Sequence, residues 1–142
     1  MPKPTFSLRK KLTRAEQRDL DLEISFLEGI VRRDPCYVEA LQILGDDYTR
    51  RGKITEGLRI DLKLADLRPE DPLVHYNLAC SYSLLDEPEL GLLSLQTSLK
   101  NGYTDFKWLT RDPDLRNVRR HPLYKKIRSQ IRTLKVGSTK EE

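Results

Sequence analysis

A chain of 142 residues, 37% hydrophobic and 34% charged, is long enough for one domain and has a large surface for its core, since about 25% charge is usual. No membrane span or secretory signal is expected: the longest stretch without Lys, Arg, Asp or Glu, residues 72–85, is fourteen residues against the ~20 a spanning helix needs, and the basic start MPKPTFSLRKKLTR has no apolar run behind it. The net charge of +4 hides +5 in residues 1–14, −7 in residues 15–110 and +7 in residues 111–135, an acidic middle between basic ends.

Residues 1–14 read as a basic, flexible N-terminus. In residues 15–35 the stripe Leu20, Ile24, Leu27 and Val31, with Phe26 and Ile30 beside it, has helical spacing and ends at Pro35. Asp34-Pro35 and Asp71-Pro72 read as helix starts, because Asp accepts the free first-turn amides and Pro has no amide to leave unpaired. The helix after Pro35 carries Leu41, Leu44 and Tyr48 and is expected to turn at Arg51-Gly52, and the next carries Leu58, Leu62 and Leu67. A second pair comes after it, Leu78 and Tyr82, a turn at Asp86-Glu87-Pro88, then Leu92, Leu95 and Leu99. Trp108 and Leu109 suit an apolar plug, and Asp112-Pro113 a short turn. His121-Pro122 starts a last helix with Leu123, Tyr124, Ile127, Ile131 and Leu134 on its apolar side. Six or seven helices, no strand and a disordered tail over residues 136–142 are expected.

The two pairs are copies of one another. At a shift of 34 residues Leu44 falls on Leu78, Gly45 on Ala79, Tyr48 on Tyr82, Gly57 on Gly91, Leu58 on Leu92 and Pro35 on Pro69. That period suits two helices and two turns. Glycine inside a helix costs about 1 kcal/mol relative to alanine, so Gly45, Gly57 and Gly91, with Ala79, are read as points where the two helices of a pair approach closely.

The pattern Leu41, Leu44-Gly45, Tyr48, Gly57, Pro69 resembles the tetratricopeptide repeat. In the second unit His75 stands at the usual Trp position and Tyr103 at the closing Pro. YNLACSYSLL with NGYTDFKWLTRDPDLRNVRRHPLYKKI resembles the segment that ends such arrays in bacterial proteins, so the likeness covers residues 17–130. It implies an all-α fold, a short α-solenoid of antiparallel helix pairs with a C-terminal helical cap: a half-repeat 15–35, repeat one 38–71, repeat two 72–105 and a cap 106–135. Two units cannot bury their apolar faces alone, so both flanks are needed.

The resemblance also implies a concave groove lined by first helices. Its positions fall on Glu39, Gln42, Asp46 and Arg50 in repeat one and on Leu73, Tyr76, Asn77 and Cys80 in repeat two. Asn77 matches the asparagine that bonds an extended ligand's backbone in the family. A carboxylate clamp is not expected, because Gln42 and Asp46 would repel a carboxylate. Tyr76, an aromatic ring with no evident core role, is expected to anchor the partner.

A basic patch of Arg116, Arg119, Arg120, Lys125, Lys126, Arg128 and Arg132 could meet phosphates, but no base-stacking aromatic is interleaved with it, so nucleic acid is not the expected partner. No Gly-rich phosphate loop, His-Glu-x-x-His or paired-cysteine motif is present. His75 and Cys80 are five residues apart, about 140° around a helix, which excludes a shared metal. The expected function is non-catalytic: a cytoplasmic, bacterial protein-binding scaffold or adaptor that needs no cofactor and takes a peptide or protein surface in its groove. The alternatives are polyanion binding by the basic cap and self-assembly into a homo-oligomer. Two cysteines, Cys36 and Cys80, neither close together nor in a metal-ligand spacing, suit a reducing compartment.

Overall fold

The computed structural model describes residues 11–141. Within them eight α-helices succeed one another, α1 Arg14–Arg33, α2 Val38–Arg50, α3 Ile54–Leu67, α4 Pro72–Leu84, α5 Pro88–Lys100, α6 Phe106–Leu109, α7 Arg116–Arg120 and α8 Tyr124–Glu141, with a 3-10 turn at Pro113–Leu115. No strand occurs among the described residues. The count exceeds expectation because the cap holds two one-turn helices, α6 and α7, too short for any apolar periodicity to reveal.

The 34-residue period is present in the backbone. α2 and α4 each have thirteen residues and begin 34 apart, and α3 and α5 also begin 34 apart. The turns recur too. Gly52 (φ 87°) and Asp86 (φ 58°) take the left-handed conformation, and one residue on, Lys53 N–H donates to Tyr48 and Glu87 N–H to Tyr82, both at 2.8 Å. This satisfies the last carbonyls of each first helix and reverses the chain within three residues, which makes each pair antiparallel. Asp86 pays for that conformation where Gly52 does not.

Helix starts follow local chemistry with two corrections, one of them at His121-Pro122, where His121 ends α7 and α8 begins only at Tyr124. Thr13 and Glu16 form a reciprocal capping box at α1. Asp71 accepts the Leu73 amide at 2.9 Å and Pro72 occupies the first position of α4. Asp34-Pro35 does not start a helix: Asp34 ends α1, and α2 begins at Val38 after an uncapped Tyr37.

The helices stack as a series of neighbours, α1 on α2, α2 on α3, α3 on α4 and α4 on α5, a short α-solenoid. Three apolar clusters run along it: Leu20, Ile24 and Leu27 with Ala40, Leu44 and Tyr48; Val38, Leu41, Leu64 and Val74; and a larger one joining α4 and α5 to the cap through Leu92, Leu95, Leu99, Leu109, Leu115, Val118, Tyr124, Ile127 and Ile131. Leu109 is fully buried and Trp108 packs beside it. Leu62 and Leu123 leave their expected stripes and are exposed, and Leu64 is the buried leucine of α3.

The small residues do sit at close approaches. A Cβ on Gly45 would lie 3.1 Å from Ile60 Cγ2, and one on Gly57 3.1 Å from Thr49 Oγ1. On Gly91 it would lie 3.3 Å from the Ala79 carbonyl oxygen and 2.7 Å from Val118 Cγ2, so this position admits the cap as well as α4.

Residues 1–10 of the expected N-terminus lie outside the described residues. At the other end α8 runs on to Glu141, past residue 135, after which the sequence predicts a disordered tail. No proline or turn pair interrupts it, and Gly137 alone costs about 1 kcal/mol.

Candidate functional site

Four expected groove residues converge. Gln42 and Asp46, one turn apart on α2, face Leu73 and Asn77, one turn apart on α4, across a cleft of about 220 Å3 whose remaining lining is Asp61, Leu64, Asp71 and Val74. The solenoid brings them together: α2 and α4 are successive first helices, and α3 forms the floor between them. Glu39 and Arg50 are exposed on α2 outside this lining.

The cleft is acidic and rich in acceptors. Asp61 is buried and accepts a 2.6 Å hydrogen bond from Ser81 Oγ, and Asp71 accepts the Leu73 amide. The Asn77 Oδ1 atom is buried and receives no hydrogen bond from the chain, which leaves an acceptor that a bound donor would satisfy. The volume falls below the ~300 Å3 at which small-molecule pockets begin, so it suits a side chain better than a free metabolite.

Tyr76 and Cys80 are not in the open groove. By the 34-residue register they are the counterparts of Gln42 and Asp46, yet both are fully buried. The Tyr76 hydroxyl donates to Asp112 Oδ2 at 2.6 Å, Cys80 Sγ lies 3.8 Å from the same oxygen, and the Tyr103 ring stacks on Tyr76 at 4.3 Å. The cap therefore closes beside α4 the space that stands open beside α2. Asp112 does cap a turn, accepting the Asp114 amide at 3.0 Å, but its other oxygen reaches into the core. Burial raises its pKa, and the Tyr76 hydroxyl and Asp114 amide oppose the rise. Burial likewise pushes the Tyr76 hydroxyl far above its ordinary value. Sequence reasoning missed this pairing because the partners are 36 residues apart; an Asp next to Pro and an unexplained apolar Tyr were its only traces.

A second buried carboxyl was also missed. Asp47 of α2 is buried, and burial, then the hydrogen bond and charge of Glu23 on α1, push its carboxyl up to about 7, with Arg50 opposing. Two carboxyls thus meet where α1 packs on α2, which favours the protonated form of Asp47.

The basic patch divides. Lys125, Lys126, Arg128 and Arg132 share one shallow surface of α8, with Arg128 5.5 Å over the Tyr124 ring. Arg119 is structural, its Nη1 donating to the Leu109 carbonyl at 3.0 Å, while Arg116 and Arg120 are exposed on α7. His75 lies 2.6 Å from the Pro69 carbonyl and Cys80 beside Asp112, so the two do not meet. No cluster of three metal-ligating side chains occurs among the described residues. None of their helices is long and apolar enough to cross a membrane.

No family model matches the chain. A curated chloroplastic protein of Arabidopsis thaliana is 37% identical over 79 residues, 54% of this chain and 24% of the relative. The chain thus spans about a quarter of that relative's length.

Proposed function

We propose that the chain is a non-catalytic protein-binding module of tetratricopeptide type, and that it takes a partner segment bearing a cationic or otherwise donor-rich side chain in the cleft between α2 and α4. The single observation behind this is the unsatisfied Asn77 oxygen set among Asp46, Asp61 and Asp71. A carboxylate or phosphate entering there would meet like charge, whereas a Lys or Arg head would supply donors to the acceptors present. The 34-residue recurrence of helices, turns and close approaches supports the repeat type. A cytoplasmic location stays part of the proposal, supported by two cysteines that form no disulfide; the relative's chloroplast name adds the plastid as a second aqueous compartment.

Selection from a random peptide library on the immobilised full chain tests the reading. Enrichment of Lys- or Arg-bearing peptides is expected. Asp46→Asn with Asn77→Ala should weaken a selected peptide at least about tenfold, or 1.4 kcal/mol, with the melting curve preserved. Replacing Lys125, Lys126, Arg128 and Arg132 with Gln should leave that binding intact. Selection of acidic peptides, lost in the Gln variant with a steep salt dependence, would move the working surface to α8 and polyanions.

A further inference from the structure

The two ends of the solenoid are surfaced unlike its middle. α1 packs on α2, and on its outer face Leu22 and Phe26, one turn apart, are 71% and 69% exposed. Phe26 corresponds by the 34-residue register to Ile60, which packs on Gly45 of α2; among the described residues α1 has no such first helix beside it. Asp19 and Glu23 are exposed on the same face, at the i, i+3, i+4, i+7 spacing that puts all four side chains together. Glu23 stands in the register position of Gly57 and Gly91, so a helix cannot approach here as closely as α2 approaches α3. The face is apolar, acidic and shaped for a shallow partner.

The opposite end is its complement. Between α5 and α8 runs a groove of about 220 Å3 lined by Leu92, Leu93, Gln96, Leu123, Lys126 and Glu89. Leu93 is 60% and Leu123 41% exposed, so two leucines of this groove face water. Lys126 borders the basic surface of Lys125, Arg128 and Arg132, and no acidic residue occurs between positions 124 and 137. The one acidic lining residue, Glu89, lies 3.7 Å from His121 Nε2.

We propose that the chain associates head to tail with further copies of itself, Leu22 and Phe26 of one copy seating in the α5–α8 groove of the next, with Asp19 and Glu23 against its lysines. Each contact joins unlike surfaces and leaves one of each free, so copies add until the rotation per copy closes a ring or a filament extends. The α2–α4 cleft lies outside both surfaces and would be repeated along the chain, which raises avidity for a multivalent partner.

Sedimentation of the full chain at about 0.05 M and about 0.5 M salt tests this. The wild-type average mass should rise with concentration at low salt and fall back at high salt. Leu22→Gln with Phe26→Gln, and separately Leu93→Gln with Leu123→Gln, should each be folded and monomeric, and an equimolar mixture should form dimers and nothing larger, because it holds one intact contact. A second set does not touch the apolar residues: Asp19→Lys or Lys126→Glu alone should weaken association and the two in one chain should restore it. A wild type that stays monomeric overturns the proposal, whatever else covers α1. So does a groove variant that still dimerises while the α1 variant does not, since two α1 faces would then be meeting each other.

Discussion

Asp112, in the cap, accepts a 2.6 Å hydrogen bond from the hydroxyl of Tyr76, on the first helix of the second repeat. Neither residue is exposed to solvent at all. The pair explains why one of two equivalent grooves is open and the other shut. Beside α2 the register positions are Gln42 and Asp46, polar and solvent-facing; beside α4 they are Tyr76 and Cys80, and the cap lowers a carboxylate onto them. The cap thus does at one repeat interface what a ligand is proposed to do at the other.

Tyr76→Phe keeps the ring and its stacking on Tyr103 but removes a donor from a carboxyl buried away from bulk solvent. A loss of about 1–3 kcal/mol is expected, read as a shifted urea midpoint with an unchanged slope. A variant as stable as the wild type would show that the hydroxyl does not hold Asp112.

Gly91→Ala should cost about 1–3 kcal/mol by overpacking, because its Cβ would meet Val118 Cγ2 at 2.7 Å and the Ala79 carbonyl oxygen at 3.3 Å. The helix-propensity gain of about 1 kcal/mol recovers part of this. Adding Val118→Ala removes the shorter contact, so the double variant should be more stable than the sum of the two singles predicts. Strict additivity would place the cap further from α5 than described. Gly45→Leu should cost a similar amount, since Ile60 stands at 3.1 Å.

The Asp47 carboxyl makes stability depend on pH. Its pKa lies at about 7 in the fold against an ordinary 3.8, so between about pH 4 and 7 the folded chain holds a proton that the unfolded chain has lost, and stability falls as pH rises. The contribution is complete below about pH 4 and is lost through pH 7. Asp47→Asn keeps an N–H donor toward Glu23 at every pH. Its Tm should exceed the wild type's above pH 7 by roughly 3 °C, about 1 kcal/mol, and the gap should close toward pH 4. Parallel Tm profiles across that window would rule out a raised Asp47 pKa in the fold.

A chain ending at Lys100 loses Leu109, Leu115, Val118, Tyr124, Ile127 and Ile131, which bury Tyr76, Leu92, Leu95 and Leu99. It should aggregate or unfold without a cooperative transition by circular dichroism. A monomeric, cooperative fragment would mean that the repeats do not need the cap.

Local and periodic features were legible in the residues themselves. The 34-residue period, the antiparallel pairs, the turns at Gly52 and Asp86, the Asp71-Pro72 start, the glycine approaches and the apolar stripes of α1 and α8 each depend on neighbours within about one helical turn, or on the repetition of such a pattern. The resemblance implied a groove holding Gln42, Asp46, Leu73 and Asn77, and equivalent units stacked in register bring these four to one cleft. The burial of Tyr76 and Cys80 could not be read this way. The repeat pattern carries no information about the segment C-terminal to it, and the residue that closes the second groove, Asp112, comes from a non-repeating cap 36 positions away. The same limit hid the Asp47–Glu23 carboxyl pair and set Phe26 beside an apolar stripe, although no helix covers it among the described residues. Spacing along the chain determines which face a side chain shares, but only the packed neighbours decide whether that face meets water, another helix or a buried carboxylate, because burial is a property of the surface brought against it.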